Sequence, residues 1–427
     1  MPEVGHAPSK LPVTQIAGAT TALVLLTALN FVNFIDRYLF AGVQELVKRD
    51  FSLSDERIGA LTFWFFITYM CAAPLTGWLG DHFPRKPLIV LAALFWSAVN
   101  LFTAFTHTYF SLALRHAALG IGEASFSVYA PALLADFYPE DQRNRVLTIF
   151  YTAIPVGAAA GFALGGALGG HYGWRFPFYA SAAPGILVAL LIAVLIHEPK
   201  RGAADSRPKR QKGQPKPQAD RVLSLARNPP YLYATLGMAM TVFALGGISA
   251  WVPSFLQRVA GYTPAAAGLT VGAITVLGGL GGTAIGGWLA QRWLRSNPRA
   301  LYLVSAWSAL LTIPPAVACF FGPKSCIVPG LALALFFVFL GNGPLNAAIV
   351  NSVSAAIRST AIAIELFLIH ALGDAPSPRL IGLVSDHATL STGLGLTLIT
   401  LAIAAVLLFL GAKTLNPAEQ PPVLEQA

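Results

Sequence analysis

The sequence predicts an all-α membrane protein whose twelve transmembrane helices form two six-helix bundles. Three observations predict it. Of 427 residues, 55% are hydrophobic and only 11% are charged, whereas a soluble domain carries about 25% charged residues. Apolar runs long enough to cross a bilayer, about 20 residues each, recur with short polar breaks. One long basic gap then divides these runs into two equal sets. The net charge of +9 is spread through the gaps, which follows the positive-inside rule and gives no nucleic-acid face.

The runs lie near 16–46, 58–80, 86–106, 109–137, 145–170 and 176–196 in the first set. The second set lies near 231–257, 265–291, 299–321, 326–352, 357–385 and 393–411. Residues 1–15 hold one lysine and no basic cluster, so the first span is read as retained rather than cleaved. The gap 197–228 is rich in basic residues, including Lys209, Arg210 and Lys212, and is broken by Pro208, Pro215 and Pro217. It reads as a solvated cytoplasmic tether. Six spans on each side place both termini in the cytoplasm as well. The expected organisation is a tail (1–15), a bundle (16–196), a linker (197–228), a second bundle (229–413) and a tail (414–427). Arg85, Lys86, Arg143, Arg145, Arg292, Arg295, Arg299, Arg358 and Lys413 fall in the gaps this topology puts inside, whereas the outer gaps are poorer in lysine and arginine. The gap around Lys48 to Arg57 is the exception, mixing both signs.

Several spans carry polar groups that are costly in lipid. The first contains Asn30, Asn33, Asp36 and Arg37; each buried charge costs roughly 2.5–3.5 kcal/mol on insertion scales. Asn33 neighbours both Asp36 and Arg37 on a helix, so this stripe faces protein or a water-filled cavity. The fourth span holds Arg115, His116 and Glu123, with His116 two turns before Glu123 on one face. A carboxyl group in an apolar site favours its neutral form, which suits a proton carrier; a structural hydrogen bond is the plainer alternative. The eleventh span pairs His370 with Asp374 at i, i+4, and Ser377 continues that face between Pro376 and Pro378. The tenth pairs Asn342 with Asn346. In the fifth, Gly157, Gly161 and Gly165 share a face that lets a neighbouring backbone approach. Of the three cysteines, Cys319 and Cys326 flank a short loop and could pair there.

The string GWLGDHFPRK, Gly77 to Lys86, closely resembles the loop motif of the major facilitator superfamily. The resemblance implies a charge latch of Asp81, Arg85 and Lys86 at the cytoplasmic face; an ordinary basic turn would also contain such residues. Gly287-Trp288-Leu289 repeats the start of the motif at the end of the eighth span, with Gln291 in place of the acid. Such parallel repeats mark transporters built as two rocking bundles with a site between them. The fifth-span glycines resemble the antiporter motif of the superfamily, with Phe162 where proline is usual.

Taken together, the chain resembles the Spinster branch of that superfamily. The matching stretches are Asn33-x-x-Asp36-Arg37-Tyr38, Gly120-Ile121-Gly122-Glu123, Gly246-Gly247-Ile248-Ser249 before Trp251, Gly343-Pro344-x-Asn346, and His370-x-x-Gly373-Asp374-x-x-Ser377-Pro378. The branch has an arginine seven residues before the fourth-span glutamate. Here His116 stands there, with Arg115 one position earlier. His116 shares the face of Glu123, whereas Arg115 has the longer reach; either fills the role.

The resemblance implies the major facilitator fold in a bacterial inner membrane. It also implies a proton-coupled carrier of an amphipathic lipid, of lysophospholipid or sphingoid-phosphate type, acting as a monomer by alternating access. Asp36 and Glu123 are the expected proton-coupling pair. The expected substrate contacts are Asn33, Arg37, Arg115, His116, Tyr129, Trp251, Asn342, Asn346, His370 and Asp374. Aromatic candidates for the pocket also include Phe34, Trp64, Phe65, Tyr69, Phe126 and Tyr151. No phosphate-binding glycine loop and no His-x-x-x-His pair occurs, so no cofactor, metal or enzyme activity is expected. Among carriers, the rival reading is a drug or organic-anion exporter.

Overall fold

The computed structural model describes residues 16–204, 223–353 and 357–415. These are helical throughout apart from turns, and among them there is no strand. The first bundle comprises Ala19–Phe51, Asp55–His82, Arg85–Thr103, Tyr109–Phe137, Glu140–Tyr172 and Phe176–Leu195. The second begins with Pro229–Phe255, prolonged by a π-turn over Leu256–Ala260. Pro264–Leu294, Ala300–Phe321 and Ile327–Asn351 follow, and Leu390–Thr414 ends it.

Between the last two lies the eleventh span, which is broken. Arg358–Ile369 leads into a π-turn over His370–Asp374, and Pro376–His387 resumes the helix. Pro376 and Pro378 have no N–H to donate, so the regular ladder fails just before them. The sequence-based boundaries differ by a few residues, most at the first span. It continues to Phe51, so Lys48 and Asp50 sit on helix and not in a loop. Ser52, at φ 52°, makes the turn.

Within the first bundle, the first span packs on the fifth and sixth, and the second on the fourth. The fifth-span glycines explain the closest of these contacts. A Cβ on Gly161 would stand 2.6 Å from the Ile35 carbonyl oxygen, and one on Gly165 would stand 2.4 Å from that of Leu39. Phe162, between them, is buried, and its carbonyl meets the eighth span at Gly268. The fifth span thus joins the first span to the second bundle.

The gap read as a tether differs at both described ends. Glu198 accepts hydrogen bonds from the backbone N–H of Arg85 (2.6 Å) and Lys86 (3.0 Å). The start of the third helix has orphan donors that need such acceptors, and this holds the chain after the sixth span against the bundle. Gly202 donates to Asp136 at 2.8 Å, and Leu225 is buried at the far end of the gap. Lys209, Arg210 and Lys212 lie outside the described residues. Cys319 and Cys326 are free thiols, so the pairing considered for them is absent.

Overpacking a tight contact costs about 1–3 kcal/mol. Gly165→Leu should therefore lower the melting temperature of the detergent-purified protein. Gly343→Ala, where an added Cβ meets nothing within 4 Å, should leave it unchanged. Equal melting of the two variants would contradict the packing account.

Candidate functional site

Arg37 and Glu123 join the first and fourth spans. Arg37 Nε donates to Glu123 Oε2 at 2.7 Å, and Nη2 lies 2.6 Å from the same oxygen. Glu123 is fully buried, whereas Arg37 is 18% exposed. The guanidinium also rests near the rings of Phe34 (4.8 Å), Phe65 (5.2 Å) and Tyr69 (5.6 Å), contacts that favour a cation. Arg37 therefore remains charged while one side of it faces open space.

That space is a cavity of about 130 Å³ between the two bundles. The first bundle lines it with Arg37, Arg115 and His116 and with the rings of Phe65 and Phe66. The second contributes Gly246, Ser249 and Asp374. Asp374 Oδ2 lies 3.0 Å from His370 Nδ1, and the His370 ring stacks on Phe66 at 5.2 Å. The eleventh-span pair thus faces the second span across the bundle boundary.

Asp36 departs from expectation. It is 1% exposed, is not among the cavity-lining residues, and its neighbours are Ser181, Asn100 and Arg115. Successive helix residues point about 100° apart, so Asp36 faces into the first bundle while Arg37 faces the cavity. The partner of Arg37 is Glu123 and not its neighbour in sequence. Asn33 lies beside Glu123 and is fully buried.

Arg115 and His116 also separate. Arg115 donates through Nε to Thr103 and through Nη2 to Asn100, and it neighbours both carboxylates. His116 Nδ1 bonds back to the Leu112 carbonyl at 2.8 Å, and the ring stands edge-on to Phe40. Reach outweighs facing here, and Arg115 is the basic residue beside the acids.

Six of the expected contacts are not among the cavity-lining residues: Asn33 and His370, which adjoin Glu123 and Asp374, and four that lie farther off. Tyr129 is buried against Gly80, and Trp251 is buried with Nε1 donating to the Pro378 carbonyl at 2.8 Å. Both are packing residues here, because their rings fill bundle cores. Asn346 is exposed and donates to the Asn342 carbonyl one turn back, so this pair serves its own helix. Of the other aromatic candidates, Trp64 and Tyr151 are exposed and Phe126 is buried behind Trp96.

The loop-motif residues sit at the end of the bundle opposite the interbundle bonds. Arg85 pairs with Asp136 of the fourth span, Lys86 is held through its backbone by Glu198, and the exposed Asp81 offers its carbonyl to Arg201. All these partners belong to the first bundle or its adjoining chain, so Asp81, Arg85 and Lys86 do not form a joint latch in this conformation.

A cluster of hydrogen bonds and ion pairs joins the two bundles at the other end. Arg258, in the π-turn of the seventh span, grips Glu45 (2.9 and 2.5 Å) and Asp55 (2.6 and 2.7 Å). Asp55 also accepts from Lys48 at 2.5 Å and from Ser385 at 2.6 Å. Asp386 accepts the first two N–H groups of the second helix, from Asp55 and Glu56, both at 2.8 Å. Gly382 allows this approach, since a Cβ there would stand 2.3 Å from the Asp55 carbonyl oxygen. The sequence reading missed this seal, although a signal was present. Gly382-x-x-x-Asp386-His387 repeats the pattern of Gly77-x-x-x-Asp81-His82.

This fold and site define a membrane transporter of the major facilitator superfamily, whose family model matches residues 26–378. Protein spinster homolog 1 from Homo sapiens is 34% identical over 410 residues, covering 90% of this chain and 77% of that protein. The sphingosine-1-phosphate transporter SPNS2 from Danio rerio is 34% identical over 438 residues, covering 92% and 86%. Among solved structures, a bacterial homolog of the human lysosomal transporter Spinster, in an inward-facing and unoccupied conformation, superposes with a TM-score of 0.85 at 22% identity. That match covers 94% of this chain and 98% of the other. The nucleoside transporter NupG superposes with a TM-score of 0.70 at 14% identity, over 92% and 99%. The chain belongs to the Spinster branch of the superfamily; it is a transporter and not an enzyme.

Removing one partner of a buried ion pair costs about 3–5 kcal/mol, and every 1.4 kcal/mol is about tenfold in a population ratio. Arg258→Ala should therefore open the sealed end. A cysteine placed at Ala250 in the cavity should then react at least about tenfold faster with an impermeant maleimide applied from that side. An unchanged rate would show that the Arg258 contacts do not hold the seal.

Proposed function

We propose that the chain is a proton-coupled secondary transporter of an amphipathic lipid, of lysophospholipid or sphingoid-phosphate type, working by alternating access. The observation that carries this reading is Arg37: a cation on the cavity wall, framed by aromatic rings and held from behind by the buried Glu123. An anionic headgroup entering the cavity competes with Glu123 for Arg37. A buried carboxylate that loses its cation is neutralised by a proton, so substrate binding and protonation become one event. Asp36, with Arg115 and Asn100, is the second carboxylate of the relay. The relative named a sphingosine-1-phosphate transporter supports a phosphate-bearing amphiphile as the cargo class.

In this reading the chain acts as a monomer in a bacterial inner membrane with both termini in the cytoplasm. The sealed end then faces outward, and the cavity opens toward the cytoplasm. The inner latch closes in the opposite state. The Asp81 carboxylate is exposed and makes no ion pair among the described residues, Gly77 has nothing within 4 Å of a built Cβ, and the eleventh span starts after Ile357 with no side-chain cap. These are the parts that Gly382, Asp386 and the second helix bring together at the sealed end.

Reconstituted protein should accumulate a labelled lysolipid when a pH gradient is imposed and lose that accumulation without one. Asp36→Asn keeps shape and hydrogen bonding but carries no proton. It should bind substrate yet lose both gradient-driven uptake and its pH dependence. Accumulation by Asp36→Asn under a gradient would remove Asp36 from the coupling step. Transport of no member of a lysolipid panel by the wild type would overturn the cargo assignment.

A further inference from the structure

The end of the second bundle opposite the seal carries charge that its own helices do not balance. From 229 to 415 the only acids are Glu365, Asp374 and Asp386. Asp374 lines the cavity, Asp386 caps the second helix at the seal, and Glu365 is buried within the eleventh span. The turn between the eighth and ninth spans nevertheless holds Arg292, Arg295 and Arg299, and Lys413 closes the twelfth span. None of these four basic residues makes an ion pair among the described residues.

Arg299 and Lys413 share a recess of about 560 Å³ between the start of the ninth span and the end of the twelfth. Asn297 also lines it, and its Oδ1 accepts the Arg299 backbone N–H at 2.9 Å, which fixes the turn. Arg299 Nε is shielded from solvent and has no hydrogen-bond partner among the described residues. A buried donor in that state costs free energy until an acceptor arrives. Leu303 and Phe409 give the recess an apolar wall; each lies one turn into its span from the cation on the same helix. Phe409 meets the half-exposed Trp307 edge-on at 5.4 Å, so apolar surface continues along the ninth span. Topology signalling needs only charge in the gap; it requires neither a recess nor an apolar wall beneath the cations. None of these residues lines the cavity between the bundles.

We propose that this recess binds an anionic phospholipid of the surrounding leaflet, with its phosphodiester at Arg299 and Lys413 and an acyl chain along Leu303, Phe409 and Trp307. Basic pockets between membrane helices take such headgroups. The lipid held there is a partner of the second bundle and not cargo, so the site goes beyond the transport reading and stands without it.

The test is equilibrium binding to the purified full-length protein in detergent. The two probes are dioleoyl-phosphatidylglycerol and dioleoyl-phosphatidylcholine, which share chains and a phosphodiester but differ in net charge. The wild type should bind phosphatidylglycerol about tenfold more tightly, the order expected of two basic side chains near one headgroup. Joint replacement by Arg299→Gln and Lys413→Gln should bring the ratio close to one and leave phosphatidylcholine binding unchanged. Exchanging the two cations, Arg299→Lys with Lys413→Arg, should keep the preference. Arg358→Gln removes an exposed charge at the same end but outside the recess, and it should leave the ratio intact. Equal binding of both probes by the wild type, a preference that survives the double glutamine variant, or an equal loss in Arg358→Gln would each overturn the site. Inorganic phosphate in large excess should not displace phosphatidylglycerol; displacement would assign the recess to a free anion and overturn the lipid assignment.

Discussion

Arg37 and Glu123 meet at the wall of the first bundle because two helices each bring a charge that lipid would reject. Neither is stable alone at that depth, and their pairing satisfies both while leaving one side of the guanidinium toward the cavity. The adjoining residue, Asp36, is turned away by the helical step and finds its polar surroundings inside the bundle. A single pair of consecutive residues thus presents a cation to the cavity and a carboxyl group to the interior. The third and fourth spans place Asn100 and Arg115 beside this second acid.

The two ends of the molecule are in different states. At one, Asp386 caps the second helix and Arg258 holds two acids of the first bundle; at the other, the loop-motif residues bond within the first bundle and its adjoining chain. The closed end uses charge-assisted hydrogen bonds at a helix N-terminus, where a carboxylate meets both free N–H groups and the positive end of the dipole. Such contacts are strong when seated and are replaced by water when exposed. That property suits a seal that must break and reform. Gly382, one turn before Asp386, sets how closely the two helices approach there.

Much of the architecture was legible because membrane helices announce themselves by length and apolarity, and the basic gap divides them. The fifth-span glycines were also legible, since three at four-residue spacing leave one bare face. The choice of partners was not. Asp36 and Arg37 are adjacent in the chain, and only the orientation of the helix shows that Arg37 reaches Glu123 instead. Tyr129 and Trp251 look like pocket aromatics by type and depth; their burial against Gly80 and Pro378 depends on contacts between helices far apart in sequence. The seal at Arg258 was hidden in a gap that mixes charges of both signs, where opposite charges that pair across bundles read as an imperfect loop. The position of Glu198 under the third helix was masked by the polar composition of its surroundings.

The central claim is that an anion arriving at Arg37 displaces Glu123 and leaves it to take up a proton. Calorimetric titration of the purified protein with an anionic amphiphile, repeated near neutral pH in buffers of different ionisation enthalpy, counts the protons exchanged on binding. The account requires net proton uptake by the wild type and its loss in Glu123→Gln with binding retained. Binding heats that are independent of the buffer in the wild type, or an uptake that survives Glu123→Gln, would contradict it.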